Sequence, residues 1–209
     1  MTTRSQSRKG AFSLLSLVAT IGIVRLARAD DTIKRPGDHP DYAVEVEPHL
    51  LWGFEHYNYA PTDGIGLGGR FSIPIVHNGF VPSINNSVAI GFGLDWLHYS
   101  YGGCYYYNGY KPGFCANIGD ANYLLVPIVM QWNFFVAKHW SVFGEPGLAV
   151  YHGFLDYCAN VAPGAPCSNP TTTGVEFAFY AGGRYYFNDH SALVIRIGYP
   201  TFSLGVSFM

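Results

Sequence analysis

Thr201-Phe-Ser-Leu-Gly-Val-Ser-Phe208 alternates without a break: Phe202, Leu204, Val206 and Phe208 are separated by Ser203, Gly205 and Ser207. Successive side chains of a strand point to opposite faces, so this segment is a ribbon with one apolar face and one small, polar face. An apolar face must be covered, either by a second protein layer or by lipid. Working back from this tail, the same two-sided pattern recurs about eight times, which makes the choice of covering medium decisive for the fold.

The first 29 residues stand apart from that pattern. Arg4, Arg8 and Lys9 form a basic start, residues 11–24 an apolar stretch, and Ala27-Arg28-Ala29 a small-x-small cleavage site. Fourteen residues fall short of the ~20 that a spanning helix needs, so residues 1–29 read as a removed secretory signal with cleavage before Asp30. Removal takes five of the 12 basic residues and none of the 14 acidic ones, leaving a formal charge of −7. That sign argues against a nucleic-acid partner, which calls for a basic stripe.

Only 12% of residues are charged and 17% are aromatic, with 16 tyrosines. A soluble domain carries about 25% charge, and a protein of this size with half as much cannot coat itself for water. Few charges, many aromatics and strand periodicity suit a barrel in lipid with aromatic girdles.

Residues 30–42 are polar and proline-containing, and are expected as a mobile lead-in to a barrel over 43–209. The first run places Val44, Val46, Pro48, Leu50, Trp52 and Phe54 outward, against Glu45, Glu47, His49 and Glu55 inward. Pro61-Thr-Asp-Gly64 reads as a turn. The second run sends Ile65, Leu67, Phe71, Ile73 and Ile75 out and Arg70 and Ser72 in. The third sends Val88, Ile90, Phe92, Leu94 and Trp96 out and Asp95 in. The fourth places Leu124 to Phe134 (even numbers) outside, opposite Pro127, Gln131 and Asn133. The fifth and sixth place Glu145, Glu176, Tyr180 and Arg184 inside, and the seventh Arg196. Pro48, Pro74, Pro127 and Pro146 fall within these runs, where a missing N–H demands a bulge or an interrupted ladder.

If both termini share one side, the connections after the first, third, fifth and seventh strands lie on the other. The two longest, about 101–119 and 153–173, are among them, and two on the terminal side, 137–139 and 188–189, are very short. This is the loop asymmetry of membrane barrels. The 77–86 connection is longer than the pattern predicts.

The four cysteines fall as Cys104 with Cys115 and Cys158 with Cys167, one pair inside each long connection. Export leads to an oxidising compartment, and the short separations favour two local disulfides over cross-loop pairing. Neither pair is a Cys-x-x-Cys, which argues against a metal site. The segment around the first pair carries Tyr99, Tyr101, Tyr105, Tyr106, Tyr107 and Tyr110. It is either a girdle packed on its own disulfide or a contact surface for glycan, protein or lipid.

Alternation gathers Glu45, Glu47, Glu55, Asp95, Glu145 and Glu176 inside with Arg70, Arg184 and Arg196. An arginine facing lipid near the midplane costs about 2–4 kcal/mol, whereas inside it forms charge-assisted, bidentate bonds with carboxylates. An eight-strand barrel is just wide enough for side chains to fill, so the expectation is an ion-paired interior without an open pore. Gly64-x-Gly66-x-x-Gly69 matches the dinucleotide fingerprint in letters, but a strand follows it where a helix is required, so it marks strand glycines facing inward and no cofactor. His190-Ser191 beside a short turn has no acidic residue after Asp189 to complete a hydrolytic set.

The signal, the eight alternating runs and the tail Phe202-x-Leu-x-Val-x-Phe208 resemble the eight-stranded outer-membrane β-barrel family, of the OmpA-barrel and small porin-like type. The resemblance implies an all-β, up-and-down antiparallel transmembrane barrel in a bacterial outer membrane, inserted by the assembly machinery and bounded by outer-membrane lipid. It implies a non-enzymatic structural or surface-interaction role, with an extracellular ligand as a possible partner. The competing readings are a narrow small-solute channel, a soluble lipocalin-like binding barrel and an outer-membrane lipid-modifying enzyme. The lipocalin reading requires the inverse placement of the arginines.

Overall fold

The computed structural model describes residues 31–57, 60–107, 111–156, 169–199 and 201–209; of 31, 55–57, 60–63, 101–107 and 111–119 it describes the backbone only. The expected signal, Cys158, Cys167 and Tyr110 lie outside the described residues, as do the side chains of Glu55, Cys104, Cys115, Tyr105, Tyr106 and Tyr107.

Eight strands close into one antiparallel, up-and-down barrel: β1 (Glu45–Tyr57), β2 (Ala60–Val76), β3 (Asn86–Tyr107), β4 (Lys111–Ala137), β5 (Trp140–Asp156), β6 (Thr171–Asn188), β7 (Ser191–Tyr199) and β8 (Thr201–Phe208). Each pairs with the next, and β8 returns to β1 through Val46↔Phe208 and Trp52↔Phe202. Where all eight strands run side by side, closure leaves no strand edge, so no row of unpaired backbone groups is left there to template pairing with another chain.

The two faces divide as period two dictates. Outward positions such as Leu50, Leu67, Ile128, Phe177 and Ile197 are exposed, while Glu45, Glu47, Arg70, Gln131, Arg184 and Arg196 are buried. All four tryptophans, Trp52, Trp96, Trp132 and Trp140, occupy outward positions. The surface is thus apolar and the interior polar, the inverse of a water-soluble barrel.

The prolines sit where ladders break. The β1–β8 register steps from Val46↔Phe208 to His49↔Gly205, omitting Pro48. The β3–β4 register steps from Phe92↔Ile128 to Asp95↔Leu125 around Pro127, and β4–β5 from Val129↔Gly147 to Trp132↔Gly144 around Pro146. Pro74 stands at a register shift between β2 and β3. Each lacks the N–H that the ladder would need there.

Several expectations are corrected. Residues 61–64 are not a turn: β2 begins at Ala60, opposite Tyr57. Residues 101–107 and 111–119 are not loop but the paired extensions of β3 and β4, continuing to Tyr107↔Lys111. They project beyond the last β2–β3 pair, Gly64↔Tyr99, and the last β4–β5 pair, Asp120↔Asp156. Bulges at Tyr101/Gly102 and Tyr105/Tyr106 reset the alternation, which hides the strand from a period-two reading. Tyr99, expected in the surface cluster, is buried inside. Gly69, expected to face inward, lies on the outward face between Leu67 and Phe71.

Residues 31–42 pack against the 77–86 connection and the barrel mouth. A 3₁₀ turn at Asp31–Lys34 opens the segment, the Asn85 N–H donates to Ile33 O (2.7 Å), and Asn85 Nδ2 donates to Asp38 O (2.7 Å). The His39 ring stacks on Phe135 at 4.5 Å, at the mouth of the barrel on the side of the termini. This accounts for the long 77–86 connection, which supplies Asn85 and folds back on the wall. Asn86 Nδ2 donates to Val81 O and Ile84 O, both at 2.8 Å, while Phe80 packs edge-on to Trp132. Val88, expected to face lipid, is wholly buried in this same stretch.

Candidate functional site

The candidate site is the barrel interior, which is built in three layers. At the terminal end Phe135, Tyr186 and Ala192 form a small apolar floor with Met209 against it. Above it lie the charged groups. At the opposite end Leu51, Leu97, Tyr99, Ala121 and Leu125 make an apolar cap, joined by Tyr123, Tyr151 and Leu155.

In the charged layer, Tyr42 donates to Glu45 Oε2 (3.3 Å), and Glu45 takes two bonds from Arg184, Nε–Oε1 at 3.1 Å and Nη2–Oε2 at 3.0 Å. Arg184 Nη1 also donates to Asn133 Oδ1 (2.6 Å). Tyr42 precedes β1, and burial together with the Glu45 carboxylate holds its hydroxyl far above the ordinary tyrosine range. Arg196 carries two forks. One reaches Glu47 at 2.7 and 3.0 Å, the other Glu145 at 2.9 and 3.2 Å. Glu145 further accepts from Arg70 Nη1 (3.1 Å) and Gln131 Nε2 (2.6 Å). Bonds in such numbers are what a buried ion needs to offset its lost hydration.

Aromatic faces complete the cation environment. Arg184 and Arg196 lie over the Phe143 ring at 4.6 and 5.2 Å, and Arg70 over Tyr180 at 5.5 Å. A ring quadrupole attracts a desolvated guanidinium, so these contacts stabilise the charges without adding one.

His49 bridges the upper edge of this layer. Its Nε2 lies 2.9 Å from Asp95 Oδ1 and its Nδ1 3.4 Å from Glu47 Oε1, and Arg70 Nη2 approaches Asp95 Oδ2 at 3.7 Å. Four enclosed carboxylates, Glu45, Glu47, Asp95 and Glu145, face three guanidiniums. Both ring nitrogens of His49 face carboxylates, Nε2 toward Asp95 and Nδ1 toward Glu47. Gly68 makes room: a Cβ there would run into the Asp95 carboxylate and lie 2.6 Å from His49 Nε2. The cap uses glycines the same way, since the Tyr99 ring lies across Gly53 and Gly64.

Of the residues expected inside, Glu45, Glu47, Asp95, Glu145, Arg70, Arg184 and Arg196 therefore meet in one charged layer, as two bonded sets, Glu45 with Arg184 and Arg196 with Glu47, Glu145, Arg70 and Asp95, that share the Phe143 ring. Glu176 does not join it: it is half-buried nearer the cap end and accepts from Tyr199 Oη (3.3 Å), with no ion pair among the described residues. Phe143 and Tyr42 were not anticipated. Alternation from Glu145 already turns Phe143 inward, but only the three-dimensional register sets it beneath two arginines.

No protein-family model matches the chain, and no curated protein matches it in sequence. Solved structures do. Ail, the attachment invasion locus protein of Yersinia pestis, superposes with a TM-score of 0.52 at 10% identity, over 79% of this chain and 96% of its own. Neisserial surface protein A gives 0.52 at 11%, over 80% and 97%. The outer membrane protein OprG of Pseudomonas aeruginosa gives 0.53 at 10%, over 82% and 97%. Identity this low carries the fold and nothing finer, so what the chain shares with these proteins is a closed barrel of nearly the same extent.

Proposed function

We propose that this chain is a non-enzymatic bacterial outer-membrane barrel whose interior is closed by ion pairs and whose role is structural or surface contact at the end opposite its termini. The observation that carries this reading is the inverted partition: arginines and carboxylates fully enclosed, leucine, isoleucine and phenylalanine exposed around the wall. Hydrocarbon is the medium that makes such a wall stable. Residues 1–29 direct export and are removed, 30–42 lie at the periplasmic mouth, and the Phe202–Phe208 tail is read by the assembly machinery.

The contact element is the ribbon formed by 101–107 and 111–119, which extends past its neighbouring strands. Tyr105, Tyr106, Tyr107 and Tyr110 give it contact area at low entropic cost. Cys104 stands directly opposite Cys115 in the register, which suits a staple across the ribbon, and Cys158 with Cys167 forms the second. Two of the similar structures belong to proteins named for attachment and invasion and for the cell surface, in keeping with such a role.

The test is to express the full chain in a Gram-negative host, recover it from the outer membrane in detergent, and insert it into planar bilayers. The expected result is a heat-modifiable, electrically silent barrel. Discrete conductance steps would favour the channel reading, and recovery without detergent from the periplasm would overturn the membrane reading.

A further inference from the structure

The wall is not of even height. β7 ends at Tyr199 and β8 begins at Thr201, whereas β6 and β1, which flank them, run on. The β6–β7 ladder stops at Phe179↔Tyr199 and the β1–β8 ladder at Gly53↔Thr201. Beyond those pairs, residues 171–178 of β6 are still paired with β5, from Gly147↔Ala178 to Phe154↔Thr171, and residues 54–57 of β1 with β2. Their other edges have no partner among the described residues. The result is a notch beyond the ends of β7 and β8, on the side opposite the termini. Its β6 lip is an open strand edge about 26 Å long.

The open edge lies at an apolar level of the wall, since Val175 and Phe177 point outward from it and are exposed. Hydrocarbon offers unpaired N–H and C=O groups no partner, so an edge left bare there is costly. Thr171-Thr-Thr-Gly-Val-Glu-Phe-Ala178 holds neither proline nor lysine, the residues that commonly keep an edge from pairing. Its one charge is Glu176, which faces inward, half-buried, and has no ion pair among the described residues. Tyr199 stands opposite Phe179, yet its hydroxyl donates to Glu176 Oε2 at 3.3 Å, three residues further along β6. That contact sets the carboxylate at the notch. A carboxylate there disfavours a strand that brings an acidic or apolar side chain beside it and favours one that brings a cation. Two copies of this chain joined through the edge would place two Glu176 carboxylates in one notch, which argues against self-pairing.

We propose that the notch accepts an extended strand of a different polypeptide, which adds to the β6 edge through backbone hydrogen bonds and sets a lysine or arginine beside Glu176. Strand addition satisfies the row of open backbone groups, and the side-chain positions along it give selectivity. On neighbouring strands, side chains of one face stand next to each other. The basic residue therefore belongs to the inward set of the incoming strand, whose outward set is apolar like Val175 and Phe177. The inference adds a partner chemistry to the surface-contact reading and rests on it for the exposure of this end outside the cell.

The experiment is an NMR titration of the full-length barrel, folded in detergent micelles, with short peptides that alternate valine and threonine. One carries a central lysine in the threonine set, the other a glutamate at that place. The lysine peptide is expected to shift the amide signals of residues 171–178 and leave those of β3 in place. The glutamate peptide is expected to bind about tenfold more weakly, because the swap turns an attraction at Glu176 into a like-charge contact. Glu176→Gln, outside the ion-paired layer, is expected to fold and to lose that preference. Methylating one alternate set of the lysine peptide's backbone nitrogens is expected to abolish binding and methylating the other set to be tolerated, since an added strand pairs along one edge. Equal affinity for the two peptides in the wild type, binding indifferent to both methylations, absence of shifts at 171–178, or shifts there that follow the barrel's own concentration overturns the proposal, the last assigning the edge to a second copy. Heat-modifiable migration and vesicle insertion are recorded for both barrels: one that inserts but takes no strand defeats the notch alone, whereas failure of the wild type to insert defeats the membrane reading.

Discussion

Arg196 on β7 and Glu47 on β1 meet as a fork, Nη1–Oε1 at 2.7 Å and Nη2–Oε2 at 3.0 Å, although 149 residues separate them and β8 runs between their strands. The pair passes over β8, where Arg196 Nη1 also donates to Ser203 Oγ at 3.3 Å. Since the same guanidinium also grips Glu145 on β5, one side chain ties four strands together.

Arg196→Met leaves Glu47 and Glu145 enclosed without that partner. Breaking one side of a buried pair costs about 3–5 kcal/mol, and this is the loss expected in equilibrium urea unfolding of the barrel in lipid vesicles. A loss below about 1 kcal/mol, the value of an exposed pair, would show that water reaches the network.

Adjacent glycines on β2 are expected to answer oppositely. Gly68→Ala pushes a methyl group into the Asp95 carboxylate and the His49 ring and should destabilise by about 1–3 kcal/mol. Gly69→Ala points into open space and should be neutral or stabilising by about 0.5–1 kcal/mol, since alanine loses less backbone freedom. The same unfolding titration compares them, and equal effects would mean the faces are misassigned.

Ile128→Arg puts a charge on the outward face of β4, where Ile128 is 54% exposed. If hydrocarbon surrounds this position the cost is about 2–4 kcal/mol, read from vesicle unfolding. A neutral substitution would place that face in water.

Non-reducing peptide mapping of protein recovered from the oxidising compartment is expected to yield a Cys104–Cys115 peptide and a Cys158–Cys167 peptide. A cross-linked product joining the two connections would replace this pairing, and free thiols would remove the staple.

The faces of the strands were legible because an apolar outer wall and enclosed ions impose one rule along most of the barrel. From Val44 to Phe54 and from Thr201 to Phe208, a side chain's parity alone decides its surroundings. The rule fails where something else covers the strand. Val88 has outward parity but lies where the 77–86 connection folds back, held by Asn86 bonds that no hydropathy pattern reports. It fails again at 101–119, where two bulges reset the period and a Tyr-Gly-rich stretch reads as loop. In the interior, composition of the network was readable from parity, but its pairing was not. Glu145 meets Arg70 and Arg196 only because of the barrel's register, and Glu176, alike in parity, falls too near the cap end to share them. The apolar cap over Gly53 and Gly64 required knowing that Tyr99 crosses to strands β1 and β2.

The four tryptophans offer the most direct test of which medium covers the wall, because every one of them occupies an outward position. Fluorescence of the refolded barrel should be compared in bilayers with ordinary and with brominated acyl chains, and with iodide added to the water. Strong quenching by the brominated chains with little response to iodide is the predicted result. Strong iodide quenching with no effect of bromine would put those faces in water and contradict the transmembrane assignment.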